Sequence, residues 1–411
     1  MLTFLEGKGT FRFHCLDNGL FPAASSATDH DASGYQHAWV RDNVHIAHAH
    51  YVWGDTRSAS RTATSLMCFF QGQRHQMQQV IQRPAMAADP MNRPHVRFNG
   101  RRIEGLAQKW PHAQNDALGY FLWFFCKLAK EHLVPCEEAE LQTLADLVLY
   151  LQAIRYWMDQ DSGHWEEARK VSASSIGTVV AGLREFGELC AGHNMYSVPA
   201  LRTRGVDEGC VGGLLAEGED ALRHILPYEC RHPGGASQRR YDAALLFLVY
   251  PLQVVPHELA SQILQDVKEA LEGTIGVRRY LNDSYWCADY RSLFSASERT
   301  GDFSENMESR DAHIKPGEEA QWCIFDPIIS CIHGLGVLKD QEVHEERLLQ
   351  AHYLNRAIGQ LTADTGGTMA LQCPEAYFLE DGDYVPNEHT PLQWTQANLK
   401  MALHWLKITA L

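Results

Sequence analysis

The segment His164-Trp165-Glu166-Glu167 follows a polar turn and leads into the apolar run Val171–Leu183. It places two adjacent carboxylates and an indole at what reads as the start of a helix. A carboxylic acid beside an indole suits a general acid for glycosidic bonds. The apolar ring excludes water and raises the pKa, so the proton is held near neutral pH. Glu is also common in first helical turns, where it complements the helix dipole. The segment gains weight from its company, because five other loops carry similar polar and aromatic clusters, each just before a helix.

Helical periodicity dominates the rest of the chain. It predicts helices over 39–53, 57–82, 113–132, 136–159, 171–193, 206–226, 240–250, 256–273, 316–338, 341–363 and 391–408, with a twelfth at the N-terminus or within 284–297. Strand alternation is scarce, and no Pro/Gly linker divides the chain. Around a dozen such helices point to an all-α fold, a closed toroid whose inner and outer helices alternate along the chain. Inner helices then run parallel, so the loops preceding them gather at one end. With inner starts near 39, 113, 171, 240, 316 and 391, those loops are Tyr35–Asp42, Lys109–Asp116, His164–Glu167, Arg239–Asp242, Arg279–Trp286 with Glu318–Trp322, and Pro374–His389. A deep acidic, aromatic-lined pocket is expected there, with the inner helix N-termini aimed at it. Pro84–Glu104 and Ala288–Lys315 are the long irregular segments. The second is polar and reads as a lid insertion over 288–315.

The 411 residues are 45% hydrophobic and 10% aromatic, ample for a large core. A net charge of −15 argues against nucleic acid and anionic membranes as partners. Eleven cysteines are scattered without a C-x-x-C pair, and Cys68, Cys126, Cys323 and Cys331 fall in apolar helical runs. Reduced, buried thiols are expected rather than disulfides or a zinc site. Met1–Leu20 has no continuous apolar core of a signal peptide, and no apolar run approaches a membrane span, so a cytoplasmic location is expected. His37, His45, His48 and His50 crowd the first helix. Only His45 and His48 share a face, and no carboxylate or cysteine completes a ligand set. No metal and no cofactor are expected, and no phosphate loop, dinucleotide fingerprint or serine elbow is present.

Five motifs in order, Tyr35-x3-Trp39-x-Arg41-Asp42, Trp110-x3-Gln114-Asn115-Asp116, Trp165-Glu166-Glu167, Arg279-Tyr280 and Thr390-Pro391-Leu392-x-Trp394, carry a resemblance. From about Tyr35 to the C-terminus the chain resembles glycoside hydrolase family 15, the glucoamylases, glucodextranases and the glucoamylase-like domain of phosphorylase kinase α and β subunits. Gly317-Glu318-Glu319-Ala320-Gln321-Trp322 and Pro386-Asn387-Glu388-His389 look nearer the phosphorylase-kinase-like branch. The resemblance implies an (α/α)6 barrel, here as a single domain over 1–411, without the N-terminal β-sandwich or starch-binding module of some members. It implies hydrolysis of α-glucosidic bonds from the non-reducing end with inversion. Carried over by residue, Glu166 matches the general acid and Glu167 a substrate-contacting partner. Arg41 and Asp42 match the pair that binds the terminal glucose, Tyr35 and Trp110 match aromatics flanking the scissile bond, and Arg279 matches a substrate-binding arginine. The general base matches Glu375, in Pro374-Glu375-Ala376-Tyr377, with Glu388 as the alternative.

Inversion needs an acid and a base roughly 6.5–9.5 Å apart, with a water between base and anomeric carbon. Glu166 and Glu375 on different inner loops can supply such a gap. Asp42 can accept from two hydroxyls while Arg41 donates in a planar fork. Trp39, Trp110, Trp165, Trp286 and Trp322 offer flat faces for pyranose rings, and Asn115 and Asp116 join the substrate-binding set with their motif. The expected function is an exo-acting glucosidase on maltodextrin or glycogen ends. The rivals are a non-catalytic glucan-binding regulatory domain, and a family member acting on trehalose or α-1,6-glucans.

Overall fold

The computed structural model describes residues 1–24, 34–231, 238–339, 343–364 and 370–410. Its barrel helices, in chain order, are α1 (Val40–Val52), α2 (Thr56–Gly72), α3 (Asn115–Lys130), α4 (Glu138–Ala153), α5 (Ala173–Gly192), α6 (Glu208–Ile225), α7 (Leu246–Val249), α8 (His257–Ala270), α9 (Phe325–Leu338), α10 (Val343–Gly359) and α11 (Gln393–Thr409). The odd-numbered helices touch one another in sequence, and α11 returns to α1, so they close a ring. The even-numbered helices lie outside them. This is the (α/α)6 toroid read from the periodicity.

Burial separates the two rings. Every residue of α3 from Asn115 to Cys126 is buried, whereas α8 buries only Ile263 and Val267. A helix apolar all round belongs inside, and one with a single apolar stripe belongs on the surface. Two glycines bring inner helices together. A Cβ on Gly119 would lie 2.5 Å from the Thr178 carbonyl carbon, and one on Gly182 would lie 2.8 Å from the Gly119 oxygen.

Capping also differs between the rings. Asp55 and Asp207 cap α2 and α6, and Glu137 with Glu140 forms a capping box on α4. The inner helices α1, α3, α5, α9 and α11 have no such side-chain cap of their own. Buried carboxylates from neighbouring loops bond to two of them instead. Asp161 accepts from Asn115 N at 2.9 Å and Glu229 from Ser174 N at 3.0 Å.

Several expected helices depart from the periodicity, and the one expected over 240–250 is reduced to a 3₁₀ turn, Ala243–Leu245, and α7. The expected helix 57–82 breaks at Gln73 into α2 and a second helix, Arg74–Gln82. The expected helix 316–338 begins only at Phe325, because Gln321–Trp322 is a strand. The expected twelfth helix is reduced to Leu2–Gly7 and Tyr290–Leu293. The N-terminal segment lies along α11, with Gln396 Nε2 donating to Thr10 O at 2.8 Å and Lys400 Nζ 3.4 Å from Glu6. Cys126, Cys323 and Cys331 are buried as expected, but Cys68 faces solvent on α2, and no disulfide joins any cysteine among the described residues.

Two small antiparallel ribbons complete the site end. One joins β1 (Ala38–Trp39), β2 (Arg97–Asn99) and β3 (Glu104–Gly105), pairing Trp39 with Arg97. The other joins β4 (Gln321–Trp322), β5 (Ala376–Glu380) and β6 (Asp383–Pro386), pairing Trp322 with Ala376. Among the described residues no helix is long and apolar enough to cross a membrane.

Candidate active site

The loops before the inner helices enclose a pocket. Tyr35, Trp39, Arg41, Asp42, Trp110, Trp165, Glu166, Arg279, Trp322 and Glu375 line it, as the sequence led us to expect.

Glu166 follows the 3₁₀ turn Gly163–Trp165 in the left-handed conformation, φ 57° and ψ 39°. It sits on a loop closed by the Asp161–Lys170 bridge, several residues before α5 begins at Ala173. Its Oε1 accepts from Trp39 Nε1 at 2.9 Å, Gln114 Nε2 at 3.2 Å and Arg41 Nη2 at 3.3 Å. Burial raises its pKa, while the Arg41 and Arg97 charges and the Trp39 and Gln114 donors oppose the rise. The indole bonded to the carboxyl is therefore Trp39, and it favours the anion. Trp165 donates instead to Asp242 Oδ1 at 2.9 Å.

Glu375 precedes β5 and is buried. Tyr35 Oη donates to its Oε1 at 2.6 Å and Asn387 Nδ2 to its Oε2 at 2.5 Å. Burial pushes its pKa up to about 7 against these donors and the Arg279 charge, and Asp42 adds to the rise. Asp42 is likewise pushed up to about 7, first by burial and then by Glu166, with Arg41 opposing.

The arginines are held from behind. Arg41 donates to Asp116 at 2.7 Å and to Gln114 at 3.1 Å. Arg279 makes a two-point pair with Asp283 at 2.6 and 2.7 Å, and its guanidinium lies 4.8–5.2 Å from the Trp322, Tyr285 and Trp165 rings. Arg97 stacks 3.9 Å over Trp110, and burial pushes its pKa down to about 10.

Five expected residues do not line the pocket. Asp116 is fully buried behind Arg41, and Asn115 donates to Asp159 at 2.9 Å. Glu167 is clamped by Lys170 at 2.6 Å and Arg239 at 2.5 Å, which hold its pKa far below the ordinary value despite burial. Trp286 is core, packed on Tyr290 and Phe378. Glu388 is tied to Arg299 at 2.8 Å and is exposed.

Tyr285, Arg97, Asp283, Asn387 and Arg310 were not read from the sequence. Asp283 had a signal, four residues beyond Arg279, and Tyr285 lay inside a flagged loop. Arg97 had none, because only the Trp39–Arg97 register places it. From segment 288–315, Thr300, Gly301, Asp302 and Arg310 reach the pocket lining. The tempting histidines pack. His45 stacks on Trp394 at 4.4 Å, and His50 bonds Asp55 at 2.9 Å.

The family model described as glycosyl hydrolases family 15 matches residues 14–344. A probable phosphorylase b kinase regulatory subunit alpha from Caenorhabditis elegans is 24% identical over 415 residues, 88% of this chain and 30% of that protein. The chain thus spans under a third of that relative. Among solved structures, a glycosidase variant in complex with glucose superposes with a TM-score of 0.70 at 19% identity, over 99% of this chain and 97% of that one. A bacterial glucoamylase complexed with acarbose superposes with a TM-score of 0.62 at 15% identity, over 95% of this chain and 53% of that one. These likenesses show a shared barrel.

Proposed function

The chain belongs to glycoside hydrolase family 15, and on that premise we propose that it is an inverting, exo-acting α-glucosidase of glucoamylase type. It releases β-glucose from the non-reducing ends of maltodextrin or glycogen-like chains, with Glu166 as acid and Glu375 as base. One observation carries the reading: both carboxyls line the same pocket as the Arg41–Asp42 pair and Arg279.

The chemistry follows from their partners. Oε1 of Glu166 takes three donors, so the proton resides on Oε2, and burial helps to retain it. Donation to the glycosidic oxygen leaves an anion that Arg41, Gln114 and Trp39 already stabilise. Each Glu375 oxygen has one donor and keeps a second acceptor site, which can orient water and take its proton. Asp42 and Arg41 bind hydroxyls of the terminal sugar.

Glu166→Gln keeps shape and removes the proton, so maltotriose hydrolysis should fall on the order of 10²–10⁴-fold. Glucosyl fluoride, a better leaving group, should be spared relative to it. Glu375→Gln should impair both substrates, because each needs an activated water. Proton NMR should detect β-glucose before mutarotation. Initial α-glucose would refute the acid and base assignment, and full activity in Glu375→Gln with loss in Glu388→Gln would move the base to Glu388.

The relative that is a kinase regulatory subunit favours a second reading, a glucan-binding regulatory domain. Maltotriose bound without glucose release would support it. A panel of α-1,4, α-1,6 and α,α-1,1 glucosides then assigns the linkage.

A further inference from the structure

The barrel arginines of the pocket are already engaged, Arg41 by Asp116 at 2.7 Å and Arg279 by Asp283 at 2.6 Å. Arg310, from segment 288–315, lines the same pocket and is 6% exposed, yet it forms no ion pair among the described residues. Its Nε donates to Ser284 Oγ at 3.0 Å, and Nη2 reaches only the Met307 sulfur at 3.8 Å. The guanidinium lies 5.5 Å from the Tyr285 ring and 5.1 Å from the Phe303 ring. Such a group is held flat and oriented while Nη1 keeps its donors. Burying a charge is costly unless hydrogen bonds satisfy it, so a ligand that accepts from those donors recovers energy otherwise forgone. Asp302 shares the lining, is exposed and forms no ion pair among the described residues.

Two ion pairs tie the segment to loops at the site end. Lys109 pairs with Glu305 at 2.5 Å and Arg299 with Glu388 at 2.8 Å. In an exo-acting pocket the terminal sugar fills the closed end, and the leaving group faces the mouth. From this we infer that Arg310, with Asp302, forms a second sugar clamp for the leaving-group glucose, repeating at the mouth the Arg–Asp chemistry of Arg41 and Asp42. The substrate class is then a disaccharide or short oligosaccharide whose second ring is held by hydroxyl contacts. The inference builds on the glucosidase reading, but binding tests it separately.

The test is calorimetric titration of glucose, maltose and isomaltose into Glu166→Gln, alone and combined with Arg310→Ala or Arg310→Lys. Loss of a charged donor should weaken the better disaccharide by about 10- to 100-fold and glucose far less. Lysine keeps the charge without the planar fork and should fall between. In the otherwise native protein, Arg310→Ala and Asp302→Asn should lower kcat/KM on that disaccharide by more than on glucosyl fluoride, which has no second ring. Equal losses on glucose and disaccharide, or no loss on either, overturn the clamp. So does failure of both disaccharides to bind more tightly than glucose. Disaccharide binding that depends on Arg310, without glucose release by the native chain, would sink the glucosidase reading and leave the clamp standing.

Discussion

Tyr35 and Trp39 lie four positions apart and serve different carboxyls, the phenol bonding Glu375 and the indole bonding Glu166. Tyr35 stacks on His389 at 3.6 Å, and Asn387 supplies the second donor to Glu375. The sign of the pH effect follows. A base acts only when ionised, and burial has moved Glu375 up to about 7, so kcat/KM should fall as pH drops through the neutral range rather than near the ordinary value of 4.5. Asn387→Ala removes a bond that favours the anion, and the acidic limb should then move to higher pH. A pH profile of kcat/KM for both proteins measures this, and an unmoved limb would detach Glu375 from that ionisation. Glu375→Gln should abolish the limb along with most activity.

The contact between α3 and α5 depends on Gly119, whose added Cβ would meet backbone atoms of Thr178 and Val179 at 2.5 and 2.6 Å. Backbone cannot rotate aside as a side chain can. Gly119→Ala should therefore cost about 1–3 kcal/mol through overpacking, outweighing its gain in helix propensity. Urea unfolding should show a lower midpoint at constant m-value. These two helices start at the Gln114 and Glu166 loops, so the same variant should loosen substrate binding, read as a raised KM. An unchanged midpoint would mean that the helices can part at little cost.

Closure of the ring depends on the chain's two ends. The N-terminal segment, one of the two places open for the twelfth helix, lies outside α11 and buries Leu5 and Phe11. Deleting residues 1–13 removes both side chains and leaves the Gln396 amide without Thr10. At roughly 1.5–3 kcal/mol for each large apolar side chain, stability should fall by about 3–6 kcal/mol. Denaturant titration of the shortened chain checks this. Unaltered stability would show that α11 closes the barrel without the segment.

The toroid was legible because about a dozen helical periods run along the chain and polar, aromatic clusters fall before alternate ones, both features of local sequence. The gathering of loops was legible because alternating rings leave all inner helices parallel. Trp39, Arg41, Asp42, Trp110 and Glu166 stood out in motifs along those loops, and the family resemblance added Glu375. Their partners could not. Which indole bonds Glu166 depends on loops 127 residues apart, and the charge on Glu167 is cancelled by Arg239, 72 residues on. Arg97 reaches Trp110 only through strand register, and Arg310 reaches the pocket only because segment 288–315 folds back over the rim. Periodicity is local and determined the architecture, and short motifs in order carried the resemblance that implied the candidate carboxyls. Hydrogen-bond partners, burial and charge pairing act through space, so tertiary structure alone decided which carboxyls are open to a ligand and how tightly each holds its proton.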